Sequence, residues 1–181
     1  MFCGSNSGKN GAFKSAAKEL ANVLVENNLT LVYGGGRLGL MGEIADQMLQ
    51  LKGKVIGVIP QNLVEKERAH LGIQDLRIVD SMHKRKALMV ELADGFIAMP
   101  GGIGTLDEFF EVWTWAQIGL HKKPCAILNS GNYFDHLITF INRAVEEEFV
   151  FPVFKEMIII ETNPTALIDK MKNYKAPDRT I

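Results

Sequence analysis

Short apolar runs alternate along the chain with longer segments in which apolar residues recur every three or four positions. Each run is nearly all apolar, which is typical of strands that are covered on both faces of a parallel sheet. The runs predict strands at residues 29–33, 55–59, 76–79, 95–99, 126–128 and 157–160. Strands that alternate with helices favour an α/β fold with a doubly wound parallel sheet.

Helical periodicity is clearest at residues 13–25, where the apolar positions share one face. Similar repeats at residues 44–51 and 137–145 predict two more helices, and segments 83–93 and 106–120 add a basic helix and a largely apolar one. Phe2 and Cys3 would end a first strand. Because that strand is short, either its start is truncated or residues outside this chain extend it.

Composition narrows the class of protein. The 181 residues, 47% hydrophobic and 23% charged, suffice for a single domain spanning residues 1–181, with a polar tail from about residue 175. The net charge of −1 predicts no nucleic-acid partner, and no apolar run approaches the roughly 18–20 residues of a membrane helix. Cys3 and Cys125 lack metal-ligand spacing and no signal peptide is visible, so we expect a reduced, cytoplasmic protein without a metal.

Three glycine-bearing loops, at residues 4–11, 34–42 and 100–104, follow predicted strands. Ligands of open α/β sheets bind beyond the carboxyl ends of the strands, so these loops mark the predicted ligand edge. The third loop leads directly into a helix, whose start offers free N–H groups and the positive end of the helix dipole. Three glycines in four positions exceed what a tight turn without a ligand needs, so this loop predicts a phosphate site.

Thr105 and Glu108 have the spacing of a capping box, in which the threonine caps the helix and the glutamate bonds back to it. A carboxylate beside an anion-binding loop could instead act on a sugar. The spacing alone favours neither interpretation of Glu108.

Residues 34–39 match the G-x-G-x-x-G pattern of dinucleotide-binding proteins, which is a weak signal by itself. The full pattern needs an acidic residue at the end of the next strand, where this chain has Pro60-Gln61-Asn62. We therefore disfavour NAD and interpret Gly35 and Gly36 as part of a second loop near the ligand. Ser5 lies in the first loop, whose hydroxyls and Lys9 suit an anion, although a solvated loop explains them equally well.

The basic run His83-Lys84-Arg85-Lys86 opens a predicted helix on the ligand side. Charge runs are usually solvated faces, and that is the alternative here. Arg85 is the candidate, because a guanidinium can clamp a phosphate or a ribose with two hydrogen bonds.

The helix predicted at residues 106–120 is apolar around nearly its whole circumference. Such a helix must be buried, so one face would meet the sheet and another a second subunit. Burial under the final helices of the same chain is the alternative.

The motifs together resemble one family. Met99-Pro-Gly-Gly-Ile-Gly-Thr-Leu-Asp-Glu108 fits P-G-G-x-G-T-x-x-E, and it is accompanied by Met82-His-x-Arg85-Lys86, Tyr33-Gly-Gly-Gly and Trp115-Ala-Gln-Ile-Gly119. From Phe2 to about Tyr174 the chain resembles the LONELY GUY family of cytokinin riboside 5′-monophosphate phosphoribohydrolases, long mislabelled as lysine decarboxylases. The resemblance implies a Rossmann-like fold, a homodimer, and hydrolysis of the N-glycosidic bond of an adenosine monophosphate derivative without cofactors.

The resemblance also implies roles for individual residues. Arg85 and Glu108 would be the catalytic pair, and Asp107 stands where the family usually has glutamate, which shortens the reach of that carboxylate. The implied substrate contacts are Glu67, Lys86, Gly101, Gly102, Ile103, Gly104, Thr105, Leu106, Asp107 and Thr114. A carrier that binds an AMP-like nucleotide without cleaving it is one rival, and a decarboxylase is another. The decarboxylase needs pyridoxal phosphate and a Schiff-base lysine, which nothing in the sequence singles out.

Overall fold

The computed structural model describes residues 1–65 and 68–178. Its strands are β1 (Leu31–Tyr33), β2 (Val55–Pro60), β3 (Asp75–Val79), β4 (Phe96–Ala98), β5 (Cys125–Leu128) and β6 (Ile158–Glu161). Its helices are α1 (Ala12–Glu26), α2 (Gly39–Gln50), α3 (Met82–Leu92), α4 (Ile103–Gln117), α5 (Asp135–Glu146), α6 (Pro152–Lys155) and α7 (Pro164–Lys172). Every strand predicted from an apolar run is present, with ends displaced by at most two residues.

The strands form two parallel three-stranded sheets, ordered β1-β2-β3 and β4-β5-β6. The first residues of the chain lie between them. The Met1 nitrogen donates to the Val32 carbonyl at 2.6 Å, and the Phe2 nitrogen donates to the Ile97 carbonyl at 2.9 Å. The predicted first strand is therefore present as a single bridge, Phe2 with Ala98, that joins the two sheets into one layer.

Helices cover both faces of this layer, which confirms the doubly wound α/β prediction. On one face, Leu20 of α1, Met48 of α2 and Leu167 of α7 pack into a common core. On the other, Met89 of α3 and Phe109 of α4 pack with residues of α5 and α6. Each fully buried side chain of this kind contributes roughly 1.5–3 kcal/mol, so the two cores hold the carboxyl ends of the strands at one edge.

Helix α4 turns one side to the sheet and leaves part of its surface open. Phe109 and Val112 are buried, and the Trp113 ring nitrogen donates to the Phe154 carbonyl of α6 at 2.9 Å. Burial within the same chain thus accounts for part of its apolar surface. Ile118 and Leu120, just beyond the helix end, stay 63% and 68% exposed. None of the helices in the described ranges has the length and apolarity needed to cross a membrane.

Candidate active site at the carboxyl edge of the sheet

The turn between β4 and α4 presents an uncapped helix start to solvent. Gly102 is the N-cap and carries no side-chain cap, and the first turn of the helix holds no acidic residue. Gly102, Ile103 and Gly104 are all exposed. Free N–H groups and the positive end of the dipole are therefore accessible, which is the arrangement that binds a phosphate.

The glycines of this turn differ in what they do for the fold. A Cβ at Gly101 would lie 2.1 Å from the Thr105 hydroxyl oxygen and 2.8 Å from the Gly4 nitrogen, so packing requires glycine there. Among the described residues, a Cβ at Gly102 or Gly104 would meet no atom within 4 Å apart from its chain neighbours and the backbone of its own helix. Glycine inside a helix costs roughly 0.5–1 kcal/mol relative to alanine, so Gly104 destabilises the helix and no packing contact with the described residues requires it. A ligand that approaches the backbone closely would account for a glycine at this position.

The capping-box interpretation of Thr105 and Glu108 is wrong. Helix α4 begins at Ile103, three residues earlier than predicted, because Gly102 adopts the extended backbone of an N-cap. Thr105 and Glu108 therefore lie inside the helix, 4% and 8% exposed, on the side turned towards the sheet edge. Glu108 has no capping role, and its burial needs another explanation.

Arg85 lies against Glu108. It comes from the first turns of α3, a helix capped by Ser81, whose hydroxyl oxygen accepts from the Lys84 nitrogen at 3.2 Å. One guanidinium nitrogen of Arg85, Nη2, is 3.7 Å from Oε1 of Glu108, and Arg85 is only 4% exposed. Burying two charges costs several kcal/mol per ion, and such a pair is weak evidence for stability. A buried ion pair close to an exposed helix start is a better indication of function.

The basic run divides at Arg85. His83 and Lys84 are exposed, as a solvated face would be, whereas Arg85 points inward. Gly34, which we did not single out from the sequence, makes this possible. A Cβ at Gly34 would lie 1.9 Å from Nη2 of Arg85. The guanidinium thus occupies the space that the Cβ of any other residue at position 34 would fill. The Tyr33-Gly-Gly-Gly run marks this loop in the sequence, but it does not show which of the three glycines makes room for Arg85.

Lys86 pairs with two carboxylates of α4. Its Nζ lies 3.0 Å from Oε1 of Glu111 and 3.3 Å from Oδ2 of Asp107. Burial lowers the pKa of Lys86, but hydrogen bonds to Glu111 and Asp107 outweigh it and leave that pKa above its ordinary value. These contacts tie α3 to α4 beside the Arg85–Glu108 pair. Glu111 is not part of any motif in the sequence, although its position four residues after Asp107 puts both carboxylates on one helix face.

The second glycine loop lies under a neighbouring segment. The His70 nitrogen donates to the Gly35 carbonyl at 2.9 Å, and Gly36 pairs with Ala69 in an antiparallel bridge. Both glycines are buried, so their contact with a substrate stays a prediction. Glu67, just before this segment, lies outside the described residues.

Two further predicted contacts lie at different distances from the turn. Ser5 is exposed directly after Gly4, whose nitrogen donates to the Pro100 carbonyl at 3.0 Å, so Ser5 lies beside the turn between β4 and α4. Thr114 is also exposed, but about 16 Å along the α4 axis from Ile103 at 1.5 Å per residue. The fold of one chain therefore brings Ser5, but not Thr114, to the helix start.

The cysteines do not provide a nucleophile. Cys3 and Cys125 are free and buried, and burial raises the pKa of each thiol to about 12. Both are therefore protonated near neutral pH, where only a thiolate would attack. In residues 1–65 and 68–178, no group of three or more His, Cys, Asp or Glu side chains is placed to hold a metal ion.

The sequence is similar to one family model and to several curated proteins. Residues 41–171 match the model of a family described as "Possible lysine decarboxylase". The chain is 44% identical over 174 residues to a cytokinin riboside 5′-monophosphate phosphoribohydrolase of Arabidopsis thaliana, covering 96% of this chain and 81% of the relative. An enzyme of the same name from Rhodococcoides fascians is 44% identical over 161 residues, covering 88% and 81% of the two chains.

Solved structures share the fold at low identity. A molybdenum cofactor binding protein from Rippkaea orientalis superposes with a TM-score of 0.70 at 18% identity, covering 94% of this chain and 93% of its own. The molybdenum cofactor carrier protein of Chlamydomonas reinhardtii gives a TM-score of 0.68 at 16% identity, covering 94% and 92%. At these identities the likeness concerns the fold alone.

Proposed function

The chain belongs to the family of cytokinin riboside 5′-monophosphate phosphoribohydrolases, and from that premise we propose that it hydrolyses adenosine or N6-modified adenosine 5′-monophosphates to free base and ribose 5-phosphate. The observation that carries the proposal is the buried Arg85–Glu108 pair behind the open start of α4. An anion site and a carboxylate on one helix suit a substrate with a phosphate at one end and a glycosidic bond further along.

The phosphate binds first in this mechanism. It accepts hydrogen bonds from the exposed backbone around Gly102 and Gly104, where no side chain intervenes. Glu108 follows Thr105 by about 4.5 Å of helix rise, so a ribose anchored by its 5′-phosphate reaches towards the buried carboxylate. Binding energy from the phosphate then positions the C1′ carbon, which does not itself touch the loop.

Cleavage of the bond between C1′ and the base leaves positive charge on the ribose ring. Glu108 stabilises that charge as a carboxylate. The bond from C1′ to the base nitrogen breaks, the oxygen of a water molecule bonds to C1′ as a hydroxyl group, and the proton that the water loses ends on the departing base. Arg85, whose Nη2 is 3.7 Å from Oε1 of Glu108, offsets the negative charge of that buried carboxylate. Glu67 belongs to the proposal through the family resemblance, as a hydrogen-bond partner of the ribose hydroxyls.

The decarboxylase alternative needs a lysine that reacts as a neutral amine. Lys86, the lysine beside the Arg85–Glu108 pair, does not suit that role, because its hydrogen bonds to Glu111 and Asp107 keep its pKa above the ordinary value. The exposed Ile118 and Leu120 support a further part of the proposal, which is that two copies associate through the region of residues 106–120.

The proposed function is tested by incubating the protein with AMP or with N6-isopentenyl-AMP and measuring the free base by chromatography. We expect Glu108→Gln to lower kcat by at least about 100-fold, the range of a positioned acid, base or charge-stabilising group, with binding retained. Glu146→Gln, at an exposed position of α5, is the matched control and should keep the full rate. Thermal stabilisation by AMP without any product would indicate a carrier instead. A Glu108→Gln enzyme at full rate would exclude the carboxylate mechanism.

A further inference from the structure

Both carbonyl groups at the apex of the phosphate loop are engaged by donors from elsewhere in the chain. The Pro100 carbonyl accepts from the Gly4 nitrogen at 3.0 Å, and the Gly101 carbonyl accepts from the Tyr133 hydroxyl at 2.6 Å. The second bond joins residues 32 positions apart and links the loop after β5 to the loop after β4.

Tyr133 is held in place by its own surroundings. Its ring meets Phe13 of α1 edge-on at 5.6 Å and Phe134 at 4.9 Å between centroids. Buried Asn129 fixes the turn, since its side-chain oxygen accepts from the Phe134 nitrogen at 2.7 Å. Tyr133 is 46% exposed, so water could satisfy its hydroxyl if the bond to Gly101 were absent. The hydrogen bond therefore matters more for the conformation of the loop at Gly101 than for the stability of Tyr133.

The peptide between Gly101 and Gly102 needs such a restraint. Flanked by two glycines, it is the peptide of the turn with the greatest rotational freedom. Its carbonyl and its N–H point in opposite directions across one plane. Rotation would replace an N–H by a carbonyl oxygen at the start of α4, where the oxygen would repel an anion. Holding the Gly101 carbonyl on Tyr133 keeps the Gly102 N–H on the other side.

We propose that Tyr133 is a positioning residue for the substrate phosphate, because its hydroxyl fixes the orientation of the Gly101–Gly102 peptide. This inference rests on the proposed function, in which the phosphate binds at this loop. Tyr133 acts through Gly101 and does not touch the reacting atoms. Its effect is confined to ligands that carry a phosphate.

Tyr133→Phe removes the hydroxyl and keeps the ring contacts. We expect the KM for AMP and the Kd for inorganic phosphate to rise about three- to tenfold, the effect of one hydrogen bond. The kcat should stay within about twofold, because ground state and transition state lose the same contact. Competitive inhibition by adenosine, which lacks the phosphate, should not change. Tyr174→Phe, at a half-buried tyrosine beyond α7, is the matched control and should leave all constants unchanged.

An unchanged Kd for phosphate in Tyr133→Phe would overturn the inference, as would equal weakening of phosphate and adenosine, which indicates general damage to the site. Tyr133→Leu removes the ring as well, and selective weakening of phosphate in that variant also supports the positioning role. Calorimetric binding of inorganic phosphate needs no turnover. A wild-type protein that releases no base therefore contradicts the proposed function separately, whereas a wild-type protein that does not bind phosphate contradicts the inference.

Discussion

Gly34 and Arg85 behave as one unit at the scale of single residues. Because a Cβ at Gly34 would lie 1.9 Å from the guanidinium, Gly34→Ala must displace Arg85 from Glu108. We expect kcat to fall by about 100-fold, as for loss of an important electrostatic group in an active site. Base release from AMP by Gly34→Ala, with circular dichroism to check folding, measures the effect.

A double-mutant cycle identifies the cause of that loss. If Gly34 acts only by seating Arg85, Gly34→Ala adds little to the defect of Arg85→Ala. Glu146→Gln, on the exposed surface of α5, is the control, and its kcat should equal that of the wild type. A Gly34→Ala enzyme with normal kcat would show that Arg85 does not need the space beside Gly34 in order to act.

Single residues also show the limits of prediction from sequence. Arg85 and Glu108 were chosen because they follow predicted strands and match a family motif, and the fold does bring them together. Which glycine of the Tyr33-Gly-Gly-Gly run makes room for Arg85 depends on α3, some 50 residues further on, and no local pattern carries that information. The pairing of Lys86 with Glu111 was missed for the same reason.

At the scale of elements, two glycines at the start of α4 have different roles: packing requires Gly101, whereas Gly104 leaves the backbone accessible to a ligand. Gly104→Ala should raise the free energy of unfolding by roughly 0.5–1 kcal/mol, because alanine favours the helix and its Cβ would clash with none of the described residues. The same Cβ occupies space beside the helix start, so we expect the KM for AMP to rise. Melting curves and base-release kinetics on one sample measure both effects.

Gly101→Ala is the contrasting variant. Its Cβ would overlap the Thr105 hydroxyl at 2.1 Å, so we expect a lower melting temperature together with lower activity. Gly104→Ala with unchanged KM would mean that no ligand approaches the first turn of α4, and the phosphate site would have to lie elsewhere.

The elements themselves were predictable to different degrees. Nearly all-apolar runs are a strong signal, and they located the strands within two residues. The start of α4 was placed three residues late, because Thr105 and Glu108 imitate a capping box while the actual N-cap is a glycine. Helix α6 has only four residues, too few for periodicity to appear, and we did not predict it.

At the scale of the whole molecule, alternation of strands and helices was enough to predict the doubly wound sheet, since parallel strands need helical crossovers. The same alternation does not predict what covers α4. In the structure, part of the apolar surface is covered by the same chain, where the Phe154 carbonyl accepts from Trp113, whereas Ile118 and Leu120 are exposed. An apolar pattern predicts that side chains are buried but not which chain covers them.

The proposed dimer follows from that open surface. We expect light scattering after gel filtration to give twice the 20.1 kDa of one chain, and Ile118→Asp with Leu120→Asp to give a single chain. Each change enters a two-fold interface twice, and each lost apolar contact costs roughly 1.5–3 kcal/mol when fully buried. Phe149→Asp is the matched control, because Phe149 is 87% exposed at a different place, after α5. Dissociation by Phe149→Asp but not by the paired change would place the interface there, and a monomeric wild type would exclude the dimer.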